Sequence, residues 1–245
     1  MGETWQLTRE PIDQAPNGSS SFDVIKKGNK VYICHAFNAV AMNEGALYIV
    51  SMLTEEGKLF GNFYDGQSWG KEAELISDNV TKVAGDDRRL SLEFDPIQKR
   101  AHLIYIDAEN ILRYRYLDVP YQPENRQPGL SESGLELARN IFTCALSMDK
   151  TRPPCGLVIT YGKEKHAGKD KRERTGELYA RRFDGLEWQG DEILMSQQGS
   201  IHNWYPNVNQ DCSDGLCMMY SRSVDKSDLG KPLAVMVSSH PLNED

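Results

Sequence analysis

The sequence predicts an all-β fold assembled from a repeated antiparallel unit, and three observations carry that prediction. A thirteen-residue stretch at 57–69 (GKLFGNFYDGQSW) returns at 176–188 (GELYARRFDGLEW) with its Gly, Leu, Asp, Gly and Trp in place. A further copy at 110–121 (NILRYRYLDVPY) keeps the spacing: Leu59 to Asp65, Leu112 to Asp118 and Leu178 to Asp184 are each six apart. Short strand-like runs also close on Tyr105, Tyr161 and Tyr220, at intervals of 56 and 59 residues. Self-similarity at such a period marks a fold in which each copy is one supersecondary unit that buries its apolar face against the next.

The elements follow in order. At the N-terminus Gly2-Glu3-Thr4-Trp5 matches Gly66-Gln67-Ser68-Trp69 and Gly185-Leu186-Glu187-Trp188, so QLTREPI stands where a unit's fourth strand would. In the first full repeat both KVYICHAF (30–37) and ALYIVSM (46–52) fit the second strand, so this repeat holds either an extra hairpin or a fifth, partial unit. The next begins with LSLEF (90–94), turns over Asp95-Pro96 and returns as HLIYI (102–106); the third pairs CALSM (144–148) with LVITY (157–161). In the last, YPNVNQ (205–210) and LCMMY (216–220) flank Asp214-Gly215, a strong two-residue hairpin signal. Third strands run into the Asp-Gly-x-x-Trp hairpin in two repeats, and fourth strands read EAELIS (72–77), LELAR (135–139) and EILMS (192–196). The last repeat has its third strand, LAVMVSS (233–239), and stops, which leaves the N-terminal segment to complete it. Four short antiparallel strands per repeat of about 55 residues make a β-propeller blade. The expected fold is therefore an all-β propeller with four clear blades, or five, closed by the N-terminal strand and occupying 1–245 as a single domain or as part of a larger ring. Such closure removes sheet edges that would otherwise recruit other chains.

Composition narrows the function. The 245 residues are 39% hydrophobic and 26% charged with a net charge of -8, as expected of a globular protein and with no overall electrostatic case for nucleic acid or an anionic membrane surface. No run of eighteen apolar residues exists to span a bilayer. The start, MGETWQLTRE, lacks a basic segment followed by an apolar one, so no signal peptide is read: cytoplasmic as written, extracellular or periplasmic if this is a mature form or a fragment. Of the five cysteines, Cys212 and Cys217 face each other across the expected Asp-Gly hairpin, and Cys144 and Cys155 across DKTRPP. They are either cross-strand disulfides of an oxidising compartment or small buried apolar residues. No CxxC or clustered His accompanies them, so no metal is expected. No P-loop, GxGxxG, HExxH or GxSxG occurs, so no cofactor is expected; a glycosidase or a polysaccharide lyase stays open.

The repeated hairpins YDGQSW and FDGLEW resemble the Asp-box of the sialidase-like β-propeller superfamily, Ser-x-Asp-x-Gly-x-Thr-Trp, which joins the third and fourth strands of a blade. Here the motif is one residue shorter and lacks the leading Ser and the Thr. The resemblance implies a structural role for Asp65, Asp184, Trp69 and Trp188, on the face opposite the ligand site. The same reading follows from the residue types, since Asp and Gly close a tight turn and Trp packs between blades. Sialidases use an arginine triad, a Tyr nucleophile with a Glu partner and an Asp acid/base. Those motifs do not align here and the Arg-Ile-Pro-like strand is absent, so the resemblance extends equally to sugar-binding propellers without activity.

In a propeller the loops entering the first strand of each blade and those joining its second and third strands share one face. Applied to this chain, that geometry collects His35, Arg88, Arg89, Thr143 and the run His202-Asn203-Trp204-Tyr205. Aromatic faces beside amides and arginines suit sugar rings and acidic groups. The expected ligand contacts are therefore His35, Arg88, Arg89, His202, Asn203 and Tyr205, with no catalytic residue assigned. An insertion at 162–175 (GKEKHAGKDKRERT) carries six basic against three acidic residues and is expected to project from the same face, either as a solvated loop or as a basic flap that attracts an anionic glycan. Carboxylates near strand ends are Glu93, Asp95, Asp107, Glu109 and Asp211. Two functions fit: a carbohydrate-binding or carbohydrate-active propeller whose partner is a glycan, acidic glycans included, or a non-catalytic module that binds a protein.

Overall fold

The computed structural model describes residues 25–27, 30–32, 36–41, 46–53, 57–67, 74–80, 89–118, 134–149, 156–166, 175–196, 202–209, 216–223 and 234–240. Among these residues all regular structure is β-strand, and the chain divides into two compact units, Met1–Ala84 and Gly85–Asp245.

In the first unit β1 (Ile25–Lys27) and β2 (Lys30–Tyr32) pair as a hairpin. A four-stranded antiparallel sheet follows in sequence order: β3 (Ala36–Ala41), β4 (Leu47–Leu53), β5 (Lys58–Tyr64) and β6 (Glu74–Ser77). The stretch KVYICHAF thus divides between β2 and β3, and ALYIVSM supplies the second strand as β4, with the β1–β2 pair as a two-stranded sheet of its own. The apolar run that made both segments look like one strand is shared by two short ones, which periodicity alone does not separate.

The second unit holds the next repeats. Its first sheet is β7 (Leu90–Asp95), β8 (Arg100–Ile106), β9 (Leu112–Asp118) and β10 (Leu135–Ala138). The sheet after it is β11 (Ile141–Asp149), β12 (Gly156–His166), β13 (Thr175–Phe183) and β14 (Trp188–Leu194). The last comprises β15 (His202–Asn209), β16 (Leu216–Ser223) and β17 (Ala234–His240), three strands among the described residues. The segment expected to complete it, QLTREPI, lies outside the described residues.

Among the described residues, four connections of these antiparallel meanders are closed locally by an aspartate. Between β7 and β8, Asp95 Oδ1 accepts the N–H groups of Ile97 at 2.7 Å and Gln98 at 3.0 Å, while Lys99 takes a left-handed φ of 54°. Between β8 and β9, Asp107 Oδ1 accepts from Glu109 at 3.0 Å and Ile111 at 2.8 Å, with Asn110 at φ 60°. Between β13 and β14, Asp184 Oδ1 accepts from Leu186 at 2.8 Å and Glu187 at 2.9 Å around Gly185 at φ 100°. Asp65 does the same for Gln67, beside Gly66. A short carboxylate that replaces backbone partners, followed by a residue tolerating positive φ, is the local chemistry of a tight turn.

The first two sheets of the second unit pack through one apolar cluster. Ile104, Ile106, Leu112 and Tyr114 from β8 and β9 meet Ile141, Cys144, Leu146 and Met148 of β11, together with Leu157, Ile159 and Tyr161 of β12 and Phe183 of β13. Burying each such side chain stabilises the fold by about 1.5–3 kcal/mol. The first strands of successive sheets are neighbours: β11 lies against β7 on one side and β15 on the other. Trp188 opens β14, stands edge-on to Phe183 with centroids 5.5 Å apart, and donates its Nε1–H to the Leu137 carbonyl of the neighbouring sheet at 3.1 Å. It is thus a wedge between two sheets, as its place in the repeat predicts.

Two cysteine expectations are corrected. Cys144 is a free, buried thiol. It stands opposite Tyr161, whereas the end of β11 nearest Cys155 is Asp149, opposite Gly156; five residues of strand separate the two positions. Cys217 stands opposite Asn209, a register other than the one a two-residue Asp214-Gly215 turn would set; Cys212 and Cys155 themselves lie outside the described residues. The basic insertion is corrected as well. The β12–β13 ladder continues to His166 and Thr175, so 162–166 is strand, and 167–174 lie outside the described residues.

Candidate functional site

The strand-entrance end of the second unit begins with Arg89, which directly precedes β7, is 7% exposed, and accepts the Ile106 N–H on its carbonyl at 2.9 Å. Thr143 is buried in β11 near its start. His202, Asn203 and Tyr205 are not in a loop before the strand but within β15 itself, where His202 pairs with Ser223 and Asn203 with Arg222. His35 and Arg88 lie outside the described residues. The fold thus sets Arg89, Thr143 and the start of β15 each at or near the entrance of a first strand, and β11 neighbours both β7 and β15.

The carboxylates near strand ends divide by environment. Asp95 is fully buried and anchors the β7–β8 turn at the opposite end of the sheet. Asp107 is buried at the entrance end, where it holds its turn and also accepts Arg113 Nε–H on Oδ2 at 2.8 Å. Both use Oδ1 to hold the backbone of their turns. Asp211 lies outside the described residues.

The sequence reading missed a cluster on the sheet formed by β11–β14. Antiparallel register puts Tyr161 of β12 opposite Tyr179 of β13, and alternation puts Lys163 and Glu177 on the same face one step nearer the entrance end. The tyrosine rings stack with centroids 6.4 Å apart and 27° between planes. Glu192 of β14 reaches across β13: Tyr161 donates its hydroxyl to Oε1, and Lys163 Nζ lies 2.6 Å from Oε1 and 2.7 Å from Oε2. Lys163 Nζ also sits 4.9 Å from the Tyr179 ring centroid, and the Tyr179 hydroxyl donates to Glu177. Nearby, Arg181 lies over the Trp188 ring at 5.4 Å and donates Nε–H to the Gly190 carbonyl at 2.8 Å. Burial first, then the hydrogen bond to and negative charge of Glu192, push the Tyr161 hydroxyl up. Burial and Glu177 push Tyr179 up to about 12. Both tyrosines therefore stay neutral donors at physiological pH, while the carboxylates accept. The two-residue alternation Tyr161/Lys163 and Glu177/Tyr179 was visible in the sequence; their meeting with Glu192 depends on register.

Among the described residues no group of three or more His, Cys, Asp or Glu side chains converges as metal ligands would.

No protein-family profile matches this chain, and no curated protein does. Among solved structures it is similar to the fungal lectin of Aleuria aurantia, described as a six-bladed β-propeller with a fucose recognition mode, at 10% identity and TM-score 0.47 over 82% of this chain and 58% of the lectin's. A point variant of that lectin in complex with Fucα1-6GlcNAc matches at 10% identity and TM-score 0.48, over 85% of this chain and 63% of that one. The α-L-arabinanase of Cellvibrio cellulosa matches at 9% identity and TM-score 0.46, over 85% of this chain and 73% of the enzyme's. This chain thus spans about three-fifths of the length of the lectin chains it matches. At this level of superposition neither protein's ligand carries over.

Proposed function

We propose that this chain is a carbohydrate-binding or carbohydrate-active β-propeller, a single domain over 1–245, with its ligand site at the strand-entrance end. The observation that carries the reading is the side-by-side arrangement of β7, β11 and β15 as first strands of successive meander sheets. It supports an end of the second unit at which Arg88, Arg89, His202, Asn203 and Tyr205 contact a glycan; His35, the remaining expected contact, belongs to the first unit and lies outside the described residues. The Asp65 and Asp184 turns, at the ends of β5 and β13 away from the strand entrances, suit the structural role that the Asp-box resemblance implies. If the protein is an enzyme, the class is glycoside hydrolase or polysaccharide lyase.

A glycan-array screen with wild type and the His202→Ala/Arg88→Ala double variant tests this. Binding of a defined glycan that the variant loses supports the reading; no binding of neutral, acidic or sulfated glycans by folded protein overturns it. The second reading, a protein-interaction module, is favoured by two apolar turn tips, Ile97 and Leu186, which are 64% and 81% exposed.

A further inference from the structure

We propose that the cluster of Tyr161, Lys163, Glu177, Tyr179 and Glu192 is a separate saccharide subsite, one that takes adjacent hydroxyls of a neutral sugar. The proposal rests on the reading above that the protein binds glycans.

A comparison within the fold motivates it. In the preceding sheet the same positions are Tyr105, opposite Arg113, and Asp107, two residues beyond Tyr105 as Lys163 is beyond Tyr161. There the acid is buried and closes the β8–β9 turn while holding Arg113, so its polar groups serve the fold. At the corresponding place in the next sheet β12 runs on as strand through Lys163 to His166. Lys163 and Glu192 instead meet across β13 with their side chains 39% and 26% exposed. An ion pair this open adds little to stability. Its ammonium and carboxylate oxygens stay within reach of a ligand.

The chemistry selects the ligand. An ammonium only donates and a carboxylate only accepts, whereas a sugar hydroxyl does both. Two neighbouring hydroxyls can therefore bridge Lys163 and Glu192, one accepting from Nζ and one donating to Oε2, and Glu177 offers a further acceptor. Among the described residues the carboxylates of Glu177 and Glu192 balance the charges of Lys163 and Arg181, so the cluster itself carries no excess positive charge to favour an acidic sugar. Lys163 covers the Tyr179 face and Arg181 covers Trp188, so recognition runs through hydroxyls rather than ring stacking.

The test is calorimetric titration of the full chain with neutral oligosaccharides of galactose, mannose, arabinose and fucose and with their uronic-acid counterparts. It is run on wild type, Glu192→Gln, Lys163→Met and the His202→Ala/Arg88→Ala variant. The expected result is a neutral saccharide whose affinity falls about tenfold or more in Glu192→Gln and in Lys163→Met. Ligand-induced chemical-shift changes at Lys163, Tyr179 and Glu192 in the wild type give the same answer without a variant. Binding that the cluster variants leave within about twofold, with no shifts at those residues, overturns the subsite and leaves the entrance site standing. A uronic acid bound in preference to its neutral counterpart overturns it too. Absence of any glycan binding overturns both readings.

Discussion

Leu146 of β11 donates its backbone N–H to the Ser91 hydroxyl of β7 at 3.1 Å, which joins the first strands of two sheets across 55 positions of sequence. β11 is the edge strand of its sheet, and its outward N–H groups need partners from outside the sheet. Both residues are buried. Ser91→Ala leaves the Leu146 donor unsatisfied and is expected to cost about 1–3 kcal/mol, read as a shifted denaturant midpoint with unchanged slope. A midpoint equal to wild type would mean that water or another acceptor takes the place of the hydroxyl.

Phe142 lies over two glycines on neighbouring strands. A Cβ built on Gly162 would fall 2.4 Å from the ring and one on Gly176 2.2 Å, both well inside contact distance. Gly176→Ala should therefore destabilise by about 1–3 kcal/mol through overpacking. Phe142→Leu in the same background should recover part of that loss, and the double-mutant cycle measures the coupling. Additive losses would show that the glycine is needed for another reason.

Asp184 gives a pH signature. Burial pushes its carboxyl up, but the N–H groups of Glu187 and Leu186 and the Gln189 amide outweigh this and hold it below the usual carboxylate range. A carboxyl with a depressed folded pKa adds stability that is present above its unfolded value and is lost as pH falls through the folded value. Acid denaturation of wild type should show this loss, and Asp184→Asn should remove that part of the slope. Identical acid slopes would count against the turn assignment.

Tyr179 gives the opposite signature at high pH. With its hydroxyl pushed up to about 12 by burial and Glu177, the folded state holds the proton longer than the unfolded chain. The stabilisation is complete below the ordinary tyrosine value and disappears as pH rises towards 12. Ultraviolet titration should show a late-ionising tyrosine that Tyr179→Phe removes and Glu177→Gln brings earlier. A wild-type titration complete near the ordinary value would contradict the Tyr179–Glu177 contact.

What the sequence disclosed was what local chemistry decides. The paired strands around Asp95-Pro96 and the Asp184-Gly185 turn could be placed because a carboxylate and a following permissive residue close a turn without distant help. Trp188 could be assigned between sheets because it recurred at a fixed place in the repeat. The Cys212–Cys217 pairing failed because strand register sets Cys217 against Asn209, against the local Asp-Gly preference. His202 and Asn203 were set before the strand because polar residues read as loop, yet β15 begins at His202. The Tyr161–Glu192 contact spans 31 positions and needs all of β13 between its partners, which no local pattern signals.

Among the described residues of the second unit, every ladder closes within one run of chain, and the first two sheets meet through side chains such as Trp188 on Leu137 and Ser91 on Leu146. This gives the molecule seams. Force applied across a sheet boundary breaks a few side-chain bonds and exposes apolar faces, whereas force along a strand has to tear a whole hydrogen-bonded ladder. Damage, proteolytic opening or mechanical strain should therefore peel this unit apart one intact meander at a time.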